Sequence, residues 1–495
     1  MITAILSTSL FMGTPLIHPG ANEARRSRRT RMSVQQPGRN YAAGPANLSQ
    51  GSGLPILWRS QSSLQDNICD GLNSPISVPA GAYGKATDGD RTMRYQIIII
   101  GAGFAGMYAA LSSARLRDTQ GVPAEDMRIA LVSPEPTLVV RPRLYEPHPE
   151  TLTAPLGAVL KAIDVDYLQG RATGVDTAAR TVEVIQPDGR PRTHAYDRLV
   201  ITTGSELFRP DIPGLSDHAH SIDTLHDAIA FDRHLGSLAG QAPSDIRDTA
   251  VVVGGGFTGI EVATELPARM RAVLGPNAAV RVVIVERNPA VAPDMGPGPR
   301  PIIAKALAEL AIETRLGVGV TSLDKDGVTL SDKSRIASAT VVWAAGMRAA
   351  PLTALIPAER DNFGRLVVDR HLRVPGVAGV FAAGDAAKAV CDNDGNLALM
   401  SCQHATRLGA FAGNNAAAEL LGLPPMTYHQ EAYVTCLDLG AAGAVFTRGW
   451  GRNVEMVGAE AKQTKREINT VWIYPPPADR AVALASADPE RVTSL

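Results

Sequence analysis

One strand–turn–helix–strand device occurs twice in this chain, and the duplication limits the possible folds more than any other feature. Placing Gly101 on Gly254 aligns IIIIGAGFAG with VVVGGGFTG without a gap. The same offset (254 − 101 = 153) carries Ser133 onto Glu286, each closing the second strand of its unit. In Gly101-x-Gly103-x-x-Gly106 the first glycine permits a tight turn, the second lets backbone approach a pyrophosphate, and the third lets helix and strand pack closely. The helix N-terminus then offers N–H donors and a partial positive charge to phosphates. Gly254-x-Gly256-x-x-Gly259 repeats the arrangement. A lone GxGxxG is often only a structural turn. Here each copy has a β-branched strand before it, a helix after it and a second strand at the proper distance. Two copies argue for two dinucleotides bound by one protein.

The second copy carries Glu286 at the end of its second strand. A carboxylate there accepts hydrogen bonds from both adenosine ribose hydroxyls, which favours NADH; Arg287 follows at once and is suited to a 2′-phosphate, so NADPH stays open. Ser133 holds the matching position in the first copy and lacks the carboxylate. Either its hydroxyl serves, or Glu135 reaches back, or the contact is missing. A third strand-and-glycine block, GVFAAGDAA (379–387), ends in Gly384-Asp385; Asp385 reads as a cofactor contact, a helix N-cap, or both.

A chain of 495 residues is too long for one core and implies two or three domains. Its formal net charge of −1, without long runs of one sign, gives no pull towards nucleic acid. Residues 95–114 are uncharged and long enough to be mistaken for a membrane span, but the glycines inside them mark a strand–turn–helix unit. The cysteines Cys69, Cys391, Cys402 and Cys436 form no close pair, so neither a disulfide framework nor dithiol redox chemistry is expected, nor is a metal site. Residues 1–92 show no apolar periodicity. They read as a disordered extension, as an Arg-rich, acid-poor organelle-targeting segment, or as the product of a start placed upstream of Met93.

The order GAGFAG, TTGS, GGGFTGIE, WAAG, AAGD resembles the FAD-dependent pyridine-nucleotide oxidoreductases, most closely the type II NADH dehydrogenase (NADH:quinone reductase) group, over about residues 93–470. That resemblance implies an α/β fold with two Rossmann-like dinucleotide-binding domains and a small C-terminal α+β region. It places an FAD-binding domain at 93–213 and 347–425, an NAD(P)H-binding domain at 214–346 and a C-terminal region at 426–495. It also implies FAD as prosthetic group, NADH as donor, a quinone as acceptor, and a possible homodimer.

Residue by residue, it assigns cofactor contacts to Gly101, Gly103, Gly106, Ser133, Arg141, Thr203, Gly204, Gly384, Asp385, Gln403 and Ala405, and to Gly254, Gly256, Gly259, Glu286, Ala345 and Gly346. Arg141 lies in RPRLYE (141–146), similar to a segment lining the flavin. Glu261 matches a glutamate near nicotinamide and flavin. Lys465 is the candidate cation for a reduced flavin, with an ordinary surface lysine as the alternative reading. His404 reads as a proton relay to a quinone or as a structural histidine.

Two features depart from the group. Arg407 and Leu408 stand where SCQHATRLG (401–409) would carry paired glutamines. The tail AKQTKREINTVWIYPPP offers a basic cluster (Lys462, Lys465, Arg466) beside Trp472 and Tyr474 and a poor amphipathic anchor. The acceptor therefore stays open among a quinone, oxygen, ferredoxin and a small redox protein, and an NADH-sensing interaction module is the rival of a different class. The expected location is the cytoplasm or the inner membrane face with at most peripheral contact, or an organelle if the extension directs it there.

Overall fold

A computed structural model describes residues 95–430 and 432–491; the readings of residues 1–92 lie outside the described residues. The first glycine turn joins β1 (Tyr95–Ile100) to α1 (Phe104–Thr119), followed by β2 (Met127–Ser133), β3 (Asp166–Gln169) and β4 (Arg198–Ile201). The second joins β5 (Thr249–Val253) to α2 (Phe257–Leu274), followed by β6 (Arg281–Glu286), β7 (Ile312–Leu316) and β8 (Thr340–Trp343). The chain then returns to the first sheet through β9 (Val380–Ala382) and enters α3 (Cys402–Leu420). Both sheets are parallel, in the orders β9-β4-β1-β2-β3 and β7-β6-β5-β8. This is the α/β architecture with two Rossmann-like units expected from the sequence.

A parallel sheet covered on both faces requires strands that are apolar throughout. β1 meets that demand with Ile97, Ile98, Ile99 and Ile100, none more than 4% exposed. Each buried isoleucine contributes about 1.5–3 kcal/mol. An antiparallel ribbon, Ser205–Leu207 against Met347–Ala349, pairs the two segments that run between the sheets.

Glycines set how closely the helices approach. A Cβ at Gly409 would fall 2.2 Å from the Ala105 carbonyl oxygen, and one at Gly413 2.1 Å from that of Ala109. α1 and α3 therefore touch backbone to backbone, and Ser113 Oγ donates to the Gly413 carbonyl at 2.9 Å. The contact at Ala105 sets the first turn of α1 against α3 about two turns from its start. Gly384 lies between them: its Cβ would fall 2.8 Å from that of Ala105 and 3.5 Å from that of Ala405.

The tail forms an antiparallel sheet of β10 (Val434–Asp438), β11 (Ala444–Arg448) and β12 (Asn453–Val457). It continues through α4 (Gly458–Glu467) into a π-helical turn at Ile468–Trp472. The basic cluster read from the sequence is not a surface feature. Lys465 is 5% exposed, Lys462 faces two carboxylates, and only Arg466 of the three faces solvent.

Candidate functional site

The two glycine turns have the same geometry. Gly101 and Gly254 adopt φ of +114° and +112°, which side-chain-bearing residues avoid. A Cβ at Gly106 would fall 1.7 Å from the Gly101 carbonyl oxygen, and one at Gly259 1.8 Å from that of Gly254, so the third glycine of each copy allows the helix to meet its turn. At the middle glycines, Gly103 and Gly256, a Cβ would meet nothing within 4 Å. Both cap their helices without a side-chain hydrogen bond, leaving the first-turn N–H groups directed at that space. Each turn is thus a cradle with room at the glycine where a phosphate approaches.

Around the first cradle, Arg141 pairs with Asp223 and lies 3.8 Å from Asp385; its Nη1 donates to Ser205 Oγ at 2.9 Å. Ser205 Oγ in turn donates to Asp385 at 2.6 Å. Burial raises the Asp385 carboxyl above its ordinary value, opposed by Ser205 and Arg141. Thr203 Oγ1 is buried with no hydrogen-bond partner, next to Gly204 at φ +70°. Ser133 Oγ donates to the Glu135 carbonyl at 2.6 Å, which ties its proton to a local turn.

At the second cradle, Glu286 is 7% exposed. It accepts from the Gly255 N–H at 2.7 Å and from the Asn288 N–H and Nδ2 at 2.8 and 2.6 Å. Its carboxylate is therefore fixed against the turn, and Arg287 beside it is exposed. Ala345 packs against Gly254, and Gly346, at φ +82°, accepts from the Phe208 N–H at 3.0 Å on the ribbon between the sheets.

Glu261 and Lys465 come together. The carboxylate and ammonium lie 2.8 Å apart with side chains 5% and 7% exposed, which corrects the surface reading of Lys465. Burial pushes the Glu261 carboxyl up to about 7 despite Lys465, through its charge and hydrogen bond, pulling it down. Burial pulls the Lys465 ammonium down, and Glu261 more than restores it, so its pKa stands above the ordinary lysine value. The Asp438 N–H also donates to Glu261, at 3.2 Å, and the Tyr145 hydroxyl donates to the Asp438 carboxylate at 3.0 Å. Helix α2, β10, α4 and the 141–146 loop thus meet at one buried polar cluster. Asp438, Tyr145, Ser205 and Asp223 were not singled out from sequence; Tyr145 and Ser205 lie inside quoted motifs, but no local signal marked Asp438 or Asp223.

Gln403 and Ala405 open α3, with Gln403 Oε1 accepting from the Val434 N–H at 3.4 Å and Ala405 against Gly384. Leu408 is core at 1% exposure, and Arg407 donates to the carbonyls of His429 and Arg491, both at 3.1 Å. The departures from paired glutamines therefore serve packing and hold the tail. His404 is fully buried against Tyr433 and Trp450; Ser401 meets its Nδ1 at 2.9 Å, and its Nε2 has no partner. Burial, with Arg452 nearby, pushes its pKa down to about 4, so it is neutral at physiological pH and suited to packing more than to proton relay. Among the described residues no cluster could hold a metal ion.

The sequence pattern of the pyridine nucleotide-disulphide oxidoreductases matches residues 95–409. Over 397 residues the chain is 44% identical to an NADH dehydrogenase-like protein of Mycobacterium tuberculosis, covering 80% of this chain and 98% of that one. It is 29% identical over 392 residues to the demethylphylloquinone reductase of Synechocystis, covering 77% and 92%. The structure of NDH2 from Plasmodium falciparum in complex with NADH has the same fold, with a TM-score of 0.66 at 16% identity over 80% of this chain and 97% of that one.

Proposed function

The chain belongs to the pyridine nucleotide-disulphide oxidoreductase family, in its type II NADH dehydrogenase group, and from that premise we propose that it is an FAD-containing NADH:quinone reductase. The observation that carries the reading is the pair of open cradles together with the buried Glu261–Lys465 pair. Residues 93–213 with 347–425 would hold FAD, 214–346 would hold NADH, and 426–495 would close the site with Lys465.

The residues present fit FAD. Gly103 leaves the space that a side chain would fill, and the partnerless Thr203 hydroxyl and the Ser205–Asp385–Arg141 chain offer donors and acceptors beside it. When bound, FAD supplies the redox chemistry, taking a hydride from the nicotinamide and passing electrons on. The chain's own contribution is to bind and position. The α1 and α2 N-termini hold pyrophosphates, Glu286 accepts from the adenosine ribose of NADH, and Lys465 brings positive charge where negative charge develops. With its pKa near 7, Glu261 can hold or release a proton at neutral pH. No described helix is long and apolar enough to cross a membrane, and contact with a membrane-borne quinone would be peripheral.

The missing glutamine pair favours a second reading, in which the acceptor is not a quinone. Steady-state NADH oxidation by the purified yellow protein decides between them. A short-chain quinone should accelerate turnover well beyond the rate with oxygen alone; turnover with ferricyanide but none with a quinone would overturn the quinone reading.

A further inference from the structure

The two cradles share one backbone geometry and differ where the adenosine ribose of a dinucleotide falls. The Gly101 N–H donates to the Val132 carbonyl and the Gly254 N–H to the Val285 carbonyl, both at 2.9 Å. Ser133 and Glu286 therefore end β2 and β6 at the same place beside their turns. In the second copy the neighbours of that place serve a carboxylate. Gly255 and Asn288 together donate three hydrogen bonds to Glu286. A Cβ at Gly255 would fall 3.1 Å from Glu286 Cβ and 3.3 Å from its Oε2, so the absent side chain leaves the carboxylate its room.

In the first copy each of these parts is exchanged. Gly255 corresponds to Ala102 (255 − 153), whose methyl group takes up that room. Asn288 corresponds to Glu135 (288 − 153), whose side chain is exposed, cannot donate when ionised and repels a second carboxylate. The turn at 133–135 is bonded within the protein instead. Ser133 Oγ donates to the Glu135 carbonyl at 2.6 Å, the Tyr167 hydroxyl to the Ser133 carbonyl at 2.8 Å, and Gln169 Nε2 to the Pro134 carbonyl at 3.1 Å. What Ser133 offers a ribose is the lone pairs of one neutral hydroxyl.

Resting on the FAD reading above, we propose that Ala102, Ser133 and Glu135 make the first cradle hold FAD without a ribose anchor, so that FAD is an exchangeable cofactor in this chain and its occupancy follows its free concentration. The pyrophosphate end, at Gly103 and the α1 N-terminus, carries the affinity. A charge-assisted hydrogen bond is about twice as strong as a neutral one, and a neutral acceptor in place of a carboxylate weakens binding about tenfold. A ligand that binds only the folded chain also raises the melting temperature as its concentration rises.

The test washes the yellow protein by ultrafiltration in FAD-free buffer at neutral pH. Flavin absorbance is read in filtrate and protein, and calorimetry on the washed protein gives the Kd for FAD. Flavin should leave the unaltered protein and return on re-addition, and the melting temperature should climb with free FAD. Ser133→Ala should change Kd less than about threefold, because its hydroxyl already serves the turn. The triple variant Ala102→Gly, Ser133→Glu, Glu135→Asn transfers the parts of the second cradle and should bind FAD about tenfold tighter. The proposal is overturned if the unaltered protein keeps all its flavin through washing and its melting temperature ignores added FAD. A loss of about tenfold or more in Ser133→Ala overturns it too, as does a folded triple variant with an unchanged Kd. If the triple variant does not fold, the washing and Ser133→Ala decide. A protein that takes up no FAD at any concentration would overturn the FAD reading itself.

Discussion

Replacing Glu286 with alanine tests the donor preference, because the structure separates what the carboxylate does for the ligand from what it does for the protein. In the folded chain it already accepts from the Gly255 N–H, the Asn288 N–H and Asn288 Nδ2. These bonds aim it at the second cradle, and a ribose bound there adds hydroxyl donors. A hydrogen bond to a charged group is worth about 1.5–3 kcal/mol. Losing the acceptor should therefore cost NADH about 2–3 kcal/mol, or roughly 30- to 150-fold in kcat/KM at 1.36 kcal/mol per tenfold. NADPH should lose little, because its 2′-phosphate is freed from a facing carboxylate and exposed Arg287 stands beside it. Steady-state kcat/KM with both donors should show the NADH:NADPH ratio falling about 100-fold. Glu286→Gln, which keeps an acceptor for the turn but not the charge, should fall between. The reasoning is refuted if the unaltered protein already prefers NADPH, or if Glu286→Ala lowers both donors equally, since the carboxylate would then only brace the turn.

Two further substitutions separate binding from folding. Gly103→Val should give folded but colourless protein, since a Cβ there meets no protein atom within 4 Å and the side chain enters the phosphate space; Gly106→Ala should fail to fold, with its Cβ 1.7 Å from a carbonyl oxygen. Flavin absorbance and circular dichroism of the purified variants check both. Acid should weaken the fold through His404, whose folded pKa of about 4 lies below the 6.5 of an unfolded histidine. The unfolded chain takes its proton first, so stability present above pH 6.5 is lost as pH falls towards 4, by about 2–3 kcal/mol at about pH 4.5. Denaturation midpoints at about pH 7 and pH 4.5 should differ less in His404→Phe than in the unaltered protein.

The parts legible in the sequence are those whose physics is local. A glycine turn needs its three positions within six residues and two flanking strands, so Gly101–Gly106 and Gly254–Gly259 could be read directly, and Glu286 followed from strand length. Lys465 could not be placed that way. Its partner Glu261 stands 204 positions earlier (465 − 261), on another element, and only the return of α4 against α2 buries the two together. Arg407 shows the converse. By alignment it looked like a lost acceptor contact, whereas in the fold it binds the His429 and Arg491 carbonyls and secures the tail. Ser133 stayed ambiguous because a hydroxyl can serve a turn or a ligand, and its bond to the Glu135 carbonyl appears only in three dimensions.

The duplication accounts for the two cradles, and the differences between its copies account for the buried carboxylates beside the second one. The offset that superposes the glycines also pairs Glu261 with Tyr108 (261 − 153) and Glu286 with Ser133. Both positions carry a carboxylate only in the second copy. Burying a carboxylate beside a nucleotide is costly unless a cation pairs with it, and breaking such a pair costs about 3–5 kcal/mol. Nothing in the duplicated units supplies that cation for Glu261; it comes from α4, in the tail outside both copies. Tyr108, half-buried with its hydroxyl pKa raised by burial, needs no such partner. The C-terminal segment thus supplies the positive charge that faces the buried carboxylate of α2, and under the proposed function the site is complete only when the tail has packed onto it.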